Sequence, residues 1–138
     1  MSARAGVVPE PTPWSEPFWH GARDSQLLLP WCVECGRPFF YPRPFCPRCL
    51  GKNIDWRLAT GRGSIYSYTV VRSNPPTAFR SAVPFVIAIV RLDEGVQLLT
   101  NVVGDLDALR CDAPVEVVFE PVNVGEFALP KFRVCDSR

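Results

Sequence analysis

The stretch CVECGRPFFYPRPFCPRC, from Cys32 to Cys49, decides how the first half of this chain folds. It contains two C-x-x-C pairs, Cys32 with Cys35 and Cys46 with Cys49, separated by ten residues. Each pair predicts a tight turn whose two sulfurs converge, and two such turns supply the tetrahedral four-thiolate set that zinc accepts. The sequence therefore predicts one structural zinc ion on these cysteines. A pair of redox dithiols and an iron centre are the alternatives.

The residues around the cysteines also favour a structural metal. Gly36 allows the positive φ that such a turn often needs, and Pro47 fixes φ inside the second pair. The 18-residue loop contains four prolines and buries little surface, so we expect zinc to supply its folding free energy. His20, twelve residues before the first cysteine, is not expected to be a ligand.

Two further cysteines, Cys111 and Cys135, lie outside this pattern, and we interpret both as buried free thiols. Met1 to Pro11 lacks the apolar stretch of a signal peptide, and no apolar run approaches the roughly 20 residues of a membrane span. We therefore expect a cytoplasmic protein whose thiols are reduced.

Length and composition indicate a globular chain with one or two small cores. It has 138 residues, of which 47% are hydrophobic and 21% charged. We divide it into a leader with an N-terminal helix (1–26), a zinc ribbon (27–60) and a strand-rich domain (61–138). The boundary near residue 60 precedes Gly61 and Gly63, which we interpret as the entrance to a strand.

The N-terminal segment is predicted to hold one short helix. Met1 to Pro13 is proline-rich and is interpreted as an extended or disordered leader. Trp14 to Ala22 predicts a helix with an aromatic face, with Thr12 or Ser15 as its cap and Pro17 tolerated in its first turn.

The region after residue 60 has strand character, because β-branched and aromatic residues recur between turn signals. Asp93 to Gly95 predicts a tight hairpin turn, and Asp105 to Arg110 predicts one helical turn. Five short strands predict a mainly β fold with a small closed barrel of the OB type, and a small sandwich is the alternative. The five candidate strands are Ser64–Arg72, Phe85–Leu92, Val96–Val103, Val115–Glu120 and Leu129–Val134.

No catalytic residue is predicted, because no nucleophile and base are paired in a recognisable pattern. The turn and loop acids are interpreted as solvated: Asp93, Glu94, Asp105, Asp107 and Asp112. Five basic residues could contact phosphates, but we interpret them as solvated side chains: Arg62, Arg72, Arg80, Lys131 and Arg133.

Four quoted segments together resemble the zinc-ribbon and OB-fold family DUF35, over about Trp14 to Arg133. They are WCVECGRPFFYPRPFCPRC, the strand GRGSIYSYTVV, the hairpin VPFVIAIVRLDEGVQLLTNVVG and the ending LPKFR. The resemblance implies a rubredoxin-like zinc ribbon and a C-terminal OB barrel. It also implies a non-catalytic subunit of a thiolase, an acyltransferase or a steroid-CoA aldolase, which in some complexes helps to accommodate the CoA ester.

A single-stranded nucleic-acid binder and an enzyme in its own right are the competing hypotheses. Stacking aromatics are present for the former: Tyr66, Tyr68, Phe79 and Phe85. The barrel region, however, has eight Lys and Arg against nine Asp and Glu, where such binders carry a basic patch.

The partner interface is expected at Trp14, Phe18 and Trp19, which place three large rings within six residues. A short helix before the ribbon offers little core in which to bury them, and exposed aromatic clusters mark interaction sites. Folding of these rings back over the ribbon or barrel is the alternative.

Overall fold

The computed structural model describes residues 9–73, 84–122 and 125–135. No helix within these ranges is long and apolar enough to cross a membrane. The helix and strands are α1 (Glu16–Arg23), β1 (Leu28–Cys32), β2 (Arg37–Pro38), β3 (Ile54–Leu58), β4 (Arg62–Val71), β5 (Phe85–Leu92), β6 (Gln97–Val103), β7 (Pro114–Val122) and β8 (Phe127–Val134).

The ribbon is a three-stranded antiparallel sheet in the order β2-β1-β3. β1 is its centre, and Leu28 pairs with Leu58 while Cys32 pairs with Arg37 and Ile54. β3 was not predicted from the sequence, although Ile54, Trp56 and Leu58 alternate with two charged residues, as in a strand with one apolar face.

The strand-rich region is a closed five-stranded barrel in the order β4-β5-β6-β8-β7, which confirms the OB-type prediction over the sandwich. β5 and β6 are joined by the predicted turn, in which the Gly95 N–H donates to the Leu92 carbonyl at 2.8 Å. β6 and β8 run parallel and pair only at Val102 with Phe132 and at Val103 with Arg133. A 3₁₀ turn at Leu106–Ala108 occupies the predicted helical position.

The entrance to the barrel depends on two glycines, as expected. Gly61 has φ +77°, and its carbonyl accepts from the Val117 N–H at 2.7 Å. Gly63 lies against the Arg91 backbone, where a Cβ atom would overlap the carbonyl. The first barrel strand therefore begins between two residues that tolerate no side chain.

The N-terminal helix begins at Glu16, two residues later than predicted, with Pro17 in its first turn. Ser15 occupies the N-cap position, but its hydroxyl makes no cap bond and instead accepts from the Thr12 N–H at 2.8 Å. The prediction of Thr12 or Ser15 as the cap is therefore right for the position of Ser15, but no side-chain cap bond forms, because the two residues bond to each other.

One buried core is shared by the helix, the ribbon sheet and the barrel. Phe18 of α1 and Leu29 of β1 belong to the same cluster as Ile65, Val90 and Phe132 of the barrel. The linker between β3 and β4 is also held against the barrel, because the Thr60 N–H donates to Glu94 Oε2 at 2.8 Å. A second, smaller cluster contains Cys32, Phe39 and Cys46.

Candidate metal centre and adjoining groove

Two backbone turns carry the four cysteines. The Gly36 N–H donates to the Cys32 carbonyl at 2.8 Å, and the Leu50 N–H donates to the Cys46 carbonyl at 2.9 Å. Gly36 has φ +72°, as the sequence predicted, and Leu50 has φ +64°. Each turn reverses the chain directly after its first cysteine, so that the two sulfurs of each pair face the same point.

The sulfur geometry matches a tetrahedral metal site. The four Sγ atoms lie within 4.8 Å of one another, with Cys32 to Cys49 at 3.7 Å and Cys35 to Cys46 at 3.9 Å. Zn–S bonds of about 2.3 Å in a tetrahedron require S–S edges of about 3.8 Å. Among the described residues this is the one cluster of potential metal ligands, and it fits one structural zinc ion.

Backbone N–H groups point at the sulfurs. The Cys35 and Arg48 N–H groups donate to Cys32 and Cys46 at 3.3 Å, and the Gly51 N–H donates to Cys49 at 3.4 Å. Such donors favour thiolates and reduce the cost of placing four negative sulfurs together.

The pKa values of two of the thiols diverge for physical reasons. Burial raises the pKa of Cys46, but the N–H groups of Cys49 and Arg48 and the neighbouring thiols outweigh it and lower this pKa to about 6. The Gly51 N–H lowers the pKa of Cys49, but the Cys35 thiol and burial outweigh that donor and raise this pKa to about 12. Zinc binds cysteines as thiolates, so metal binding is coupled to the loss of thiol protons at this site.

The two remaining cysteines differ from the prediction of buried thiols. Cys111 is exposed, because it lies in the turn between the 3₁₀ segment and β7. Cys135 is half-buried directly after β8, where its N–H donates to the Pro114 carbonyl at 2.9 Å. The prediction is wrong for Cys111 and only partly right for Cys135.

A groove of about 450 Å³ opens between the helix, the ribbon and the barrel. Its floor is formed by Leu98–Asn101 of β6 and Leu129–Lys131 of β8, where these strands no longer pair. Two parts of the chain form its walls: the aromatic segment, residues 14–19, and the ribbon loop between β2 and β3. The wall residues are Trp14, Phe18, Trp19, Phe40 and Tyr41.

The aromatic segment is only partly exposed. Phe18 is 6% exposed and packs edge-to-face on Trp19 at 4.9 Å and tilted on Phe40 at 5.4 Å. Trp19 is half-buried and meets Phe127 at 6.4 Å, whereas Trp14 is 44% exposed. The expectation that these rings lack a core is wrong for Phe18, because the barrel and the ribbon loop cover it.

The interpretation of Lys131 as solvated is wrong. It is 5% exposed, and its Nζ lies 2.6 Å from Glu120 Oε1. Burial is possible because the neighbouring strand β7 places this carboxylate on the same face.

Three of the other basic candidates are described. Arg133 lies 2.6 Å from Glu116 Oε2, and Arg62 lies 3.9 Å from Glu116 Oε1, so the two guanidinium groups share one carboxylate. Arg72 is exposed, and Arg80 lies outside the described residues.

The turn acids act on the backbone. Asp105 accepts from the Asp107 N–H at 2.9 Å, and Glu94 accepts from the linker as described above. Asp93, Asp105, Asp107 and Asp112 are exposed, as interpreted, whereas Glu94 is half-buried.

Comparison with known families accounts for both halves of the fold. The family described as "ChsH2, rubredoxin-like zinc ribbon domain" matches residues 19–55. The family described as "ChsH2, C-terminal OB-fold domain" matches residues 56–120. These matches place the four cysteines in a zinc ribbon.

Three relatives show how this fold occurs in other proteins. A "DUF35 domain-containing scaffold protein" of Methanothermobacter thermautotrophicus is 37% identical over 94 residues, covering 67% of this chain and 70% of that protein. The "Benzoylsuccinyl-CoA thiolase subunit BbsA" of Geobacter metallireducens is 26% identical, covering 72% of this chain and 65% of that protein. A "Probable enoyl-CoA hydratase alpha subunit" of Thermomonospora curvata is 36% identical over 84% of this chain, which spans only 36% of that protein.

A solved structure named "Ltp2-ChsH2(DUF35) aldolase" has the same arrangement. It superimposes with a TM-score of 0.81 at 31% identity, over 92% of this chain and 98% of that chain. The ribbon, the barrel and the relatives agree, and the chain belongs to the DUF35 family, with the zinc ribbon and OB-fold domain of ChsH2.

Proposed function

We propose that this chain is a non-catalytic accessory subunit that binds and stabilises a thiolase-superfamily enzyme acting on acyl-CoA substrates. The observation that carries the proposal is the superposition of nearly the whole described fold on the ChsH2 (DUF35) chain of an aldolase. Relatives named as a scaffold protein and as a thiolase subunit support the same role. The enzyme types proposed as partners are a thiolase, an acyltransferase and a steroid-CoA aldolase.

We assign the zinc ion to Cys32, Cys35, Cys46 and Cys49, with a structural role. The S–S distances and the N–H donors support this assignment. When bound, zinc links β1 to the loop before β3, which has only a small buried cluster of its own. The ion would therefore stabilise the ribbon and present its loop to the barrel.

A non-catalytic role is supported by what the polar side chains do. Among the described residues, several acids that could serve as general bases accept hydrogen bonds from turns or pair with basic residues. His20 is exposed on α1, in a second cavity with Glu16, Trp19 and Arg23. These contacts account for the acids without assigning any of them a catalytic role.

We further propose that docking involves the aromatic segment, with Trp14 as the exposed ring and Phe18 and Trp19 as its support. A share in accommodating the CoA ester is part of the proposal, and exposed Arg72 is the best suited to a phosphate of the basic candidates considered in the sequence. Arg62 and Arg133 are less suited because both already pair with Glu116.

Nucleic-acid binding receives less support. Tyr66 and Tyr68 are exposed on β4, but the Arg91 guanidinium lies over the Tyr66 ring at 4.6 Å, where a base would stack. Phe85 is half-buried, and Phe79 lies outside the described residues. The barrel sequence carries no excess of basic residues.

Co-expression with a candidate thiolase-superfamily partner, such as a thiolase-like product of a neighbouring gene, tests the proposal. Native mass spectrometry should show a hetero-oligomer of fixed stoichiometry, and the enzyme should lose solubility or melting temperature without this chain. The matched control is the same enzyme co-expressed with an unrelated zinc-ribbon protein. Failure to associate, or acyl-CoA turnover by this chain alone, would contradict the proposed role.

A further inference from the structure

We propose that the apolar groove receives a neutral, convex, apolar segment of the partner enzyme, whose side chains insert between Trp14, Tyr41 and Leu99. This inference rests on the proposed function and adds to it the surface and the chemistry of contact. The three named residues come from the segment before α1, from the ribbon loop and from β6, so the surface exists only in the assembled fold.

The groove is held open by contacts among its own walls. The Leu99 N–H donates to the Tyr41 hydroxyl at 2.9 Å, which ties the ribbon loop to the barrel edge. Phe40 is packed between Phe18 at 5.4 Å and Tyr41 at 4.4 Å. A partner would therefore spend little free energy on ordering the site.

Three residues of the groove lining leave large apolar side chains exposed to solvent. Leu99 is 60% exposed, Tyr41 49% and Trp14 44%. The space of about 450 Å³ holds on the order of 15 water molecules at about 30 Å³ each. Displacing water from an apolar, preformed cavity is the dominant source of affinity at interface anchors.

The charges of the groove select against an anionic occupant. Among the described residues, Lys131 is the one charged member of the groove lining, and its Nζ lies 2.6 Å from Glu120 Oε1. A CoA phosphate or a nucleic-acid backbone would find no unpaired cation among these described lining residues. An apolar segment of a protein, without charge, complements it.

The shape of the groove argues against a dimer in which two grooves face each other. A two-fold axis through the groove would place the same concave surface on both sides, and neither groove would be filled. Such unfilled space forfeits the packing that stabilises interface cores. The occupant must instead supply a ridge.

Site-specific cross-linking identifies that occupant. A photoreactive phenylalanine analogue is placed at Leu99, and in a matched control at Leu58, which is 63% exposed on β3 and outside the groove lining. After irradiation of the complex with the purified thiolase-superfamily partner enzyme, mass spectrometry should map the Leu99 cross-link to one apolar segment of the enzyme. The Leu58 probe should not reach that segment.

Affinity measurements provide the second arm. Leu99→Glu and Trp14→Ala should each weaken binding of the enzyme by at least tenfold, because a charge or a void replaces an anchor. Leu58→Glu should leave the affinity within about twofold, and all three variants should keep the wild-type melting temperature and zinc content.

Each other outcome decides against the groove. If wild-type protein binds the enzyme and Leu99→Glu binds equally well, the docking site is wrong while the proposed function stands. If wild-type protein does not bind the enzyme, both fall. Cross-links from position 99 to a second copy, to residues 1–8 of the same chain, or to an added acyl-CoA in place of the enzyme would assign the groove to a different occupant.

Discussion

The stability of the ribbon depends on single residues at the metal site. Cys46 is fully buried, and its sulfur lies 3.9 Å from that of Cys35. The nearby apolar cover is limited to a cluster around Phe39. Loss of one ligand thus removes most of what holds the two turns together.

We predict that Cys46→Ser lowers bound zinc from about one ion per chain to nearly none and unfolds the ribbon, because three thiolates cannot close the site. Elemental analysis and limited proteolysis measure the two effects. Cys111→Ser is the matched control, since Cys111 is exposed and should leave zinc and stability unchanged. A Cys46→Ser protein with full zinc content would refute the assignment.

The buried ion pair gives an asymmetric prediction. Glu120→Gln should destabilise the fold by about 2 kcal/mol, because it leaves the 6% exposed Lys131 side chain without its counter-charge. Lys131→Met should cost less, since the Glu120 side chain, 33% exposed, can be hydrated. Urea denaturation measures both, and equal costs would contradict this account of the pair.

Residues whose environment is local were predictable from sequence, and residues whose environment is set by another strand were not. The spacing of the cysteines and the positive φ of Gly36 follow from a few neighbouring positions. Burial of Lys131 depends on Glu120 of β7, and exposure of Cys111 depends on the path of a turn. No periodicity within the sequence carries that information.

Among the elements, α1 depends on tertiary packing for its position. It has eight residues, fewer than an isolated helix needs for stability, and its side-chain cap is missing. Phe18 is its buried residue in the shared core, and half-buried Trp19 packs against the same cluster. The helix is thus anchored by very few side chains.

We predict that Phe18→Ala destabilises the protein by about 3 kcal/mol, as expected for a large ring removed from a core. Trp14→Ala should change the melting temperature little, because Trp14 is 44% exposed, while it weakens partner binding. Thermal melts and affinity measurements on both variants separate anchoring from docking. A stable Phe18→Ala protein would mean that α1 is not held by this ring.

The β4–β5 pairing gives a second prediction at this scale. Gly63→Ala should cost about 3 kcal/mol, because its Cβ would overlap backbone atoms of Arg91 that cannot move aside. Gly95→Ala, at φ +99° with open space around it, should cost only about 1 kcal/mol of backbone strain. Circular dichroism in urea measures the difference, and the reverse order would contradict it.

The barrel strands were predictable because β-branched and aromatic residues are enriched in them and turn residues separate them. The ribbon strands were not predicted, since β2 has two residues and the alternation of β3 extends over only five. The position of the α1 cap was predicted at Ser15, but the bonding between Thr12 and Ser15 was not.

At the scale of the whole molecule, the shared core predicts a single unfolding transition. Leu29 lies in the ribbon sheet but is 1% exposed within the cluster that contains the barrel residues. Leu29→Ala should therefore lower the melting temperature of the barrel, with a cost of about 3 kcal/mol. Near-ultraviolet and far-ultraviolet melts of this variant should coincide, and two separated transitions would show independent domains.

The division of the chain at residues 26 and 60 stays a prediction. It was drawn from changes in sequence composition, which do not show where one hydrophobic core ends and another begins. Phe18, Leu29 and Phe132 belong to different predicted parts yet to one cluster. Packing between residues far apart in the chain could not be predicted from the sequence, whereas the order of ribbon and barrel along the chain could.

The contact between α1 and the last strands joins the two ends of the described fold. The first helix packs on β7 and β8, and Trp19 of α1 meets Phe127 at the start of β8 with ring centroids 6.4 Å apart. An end that is tied down in this way cannot be trimmed without exposing apolar surface on its neighbour. The same region also occurs within a larger protein, since it corresponds to 36% of the longer Thermomonospora curvata relative.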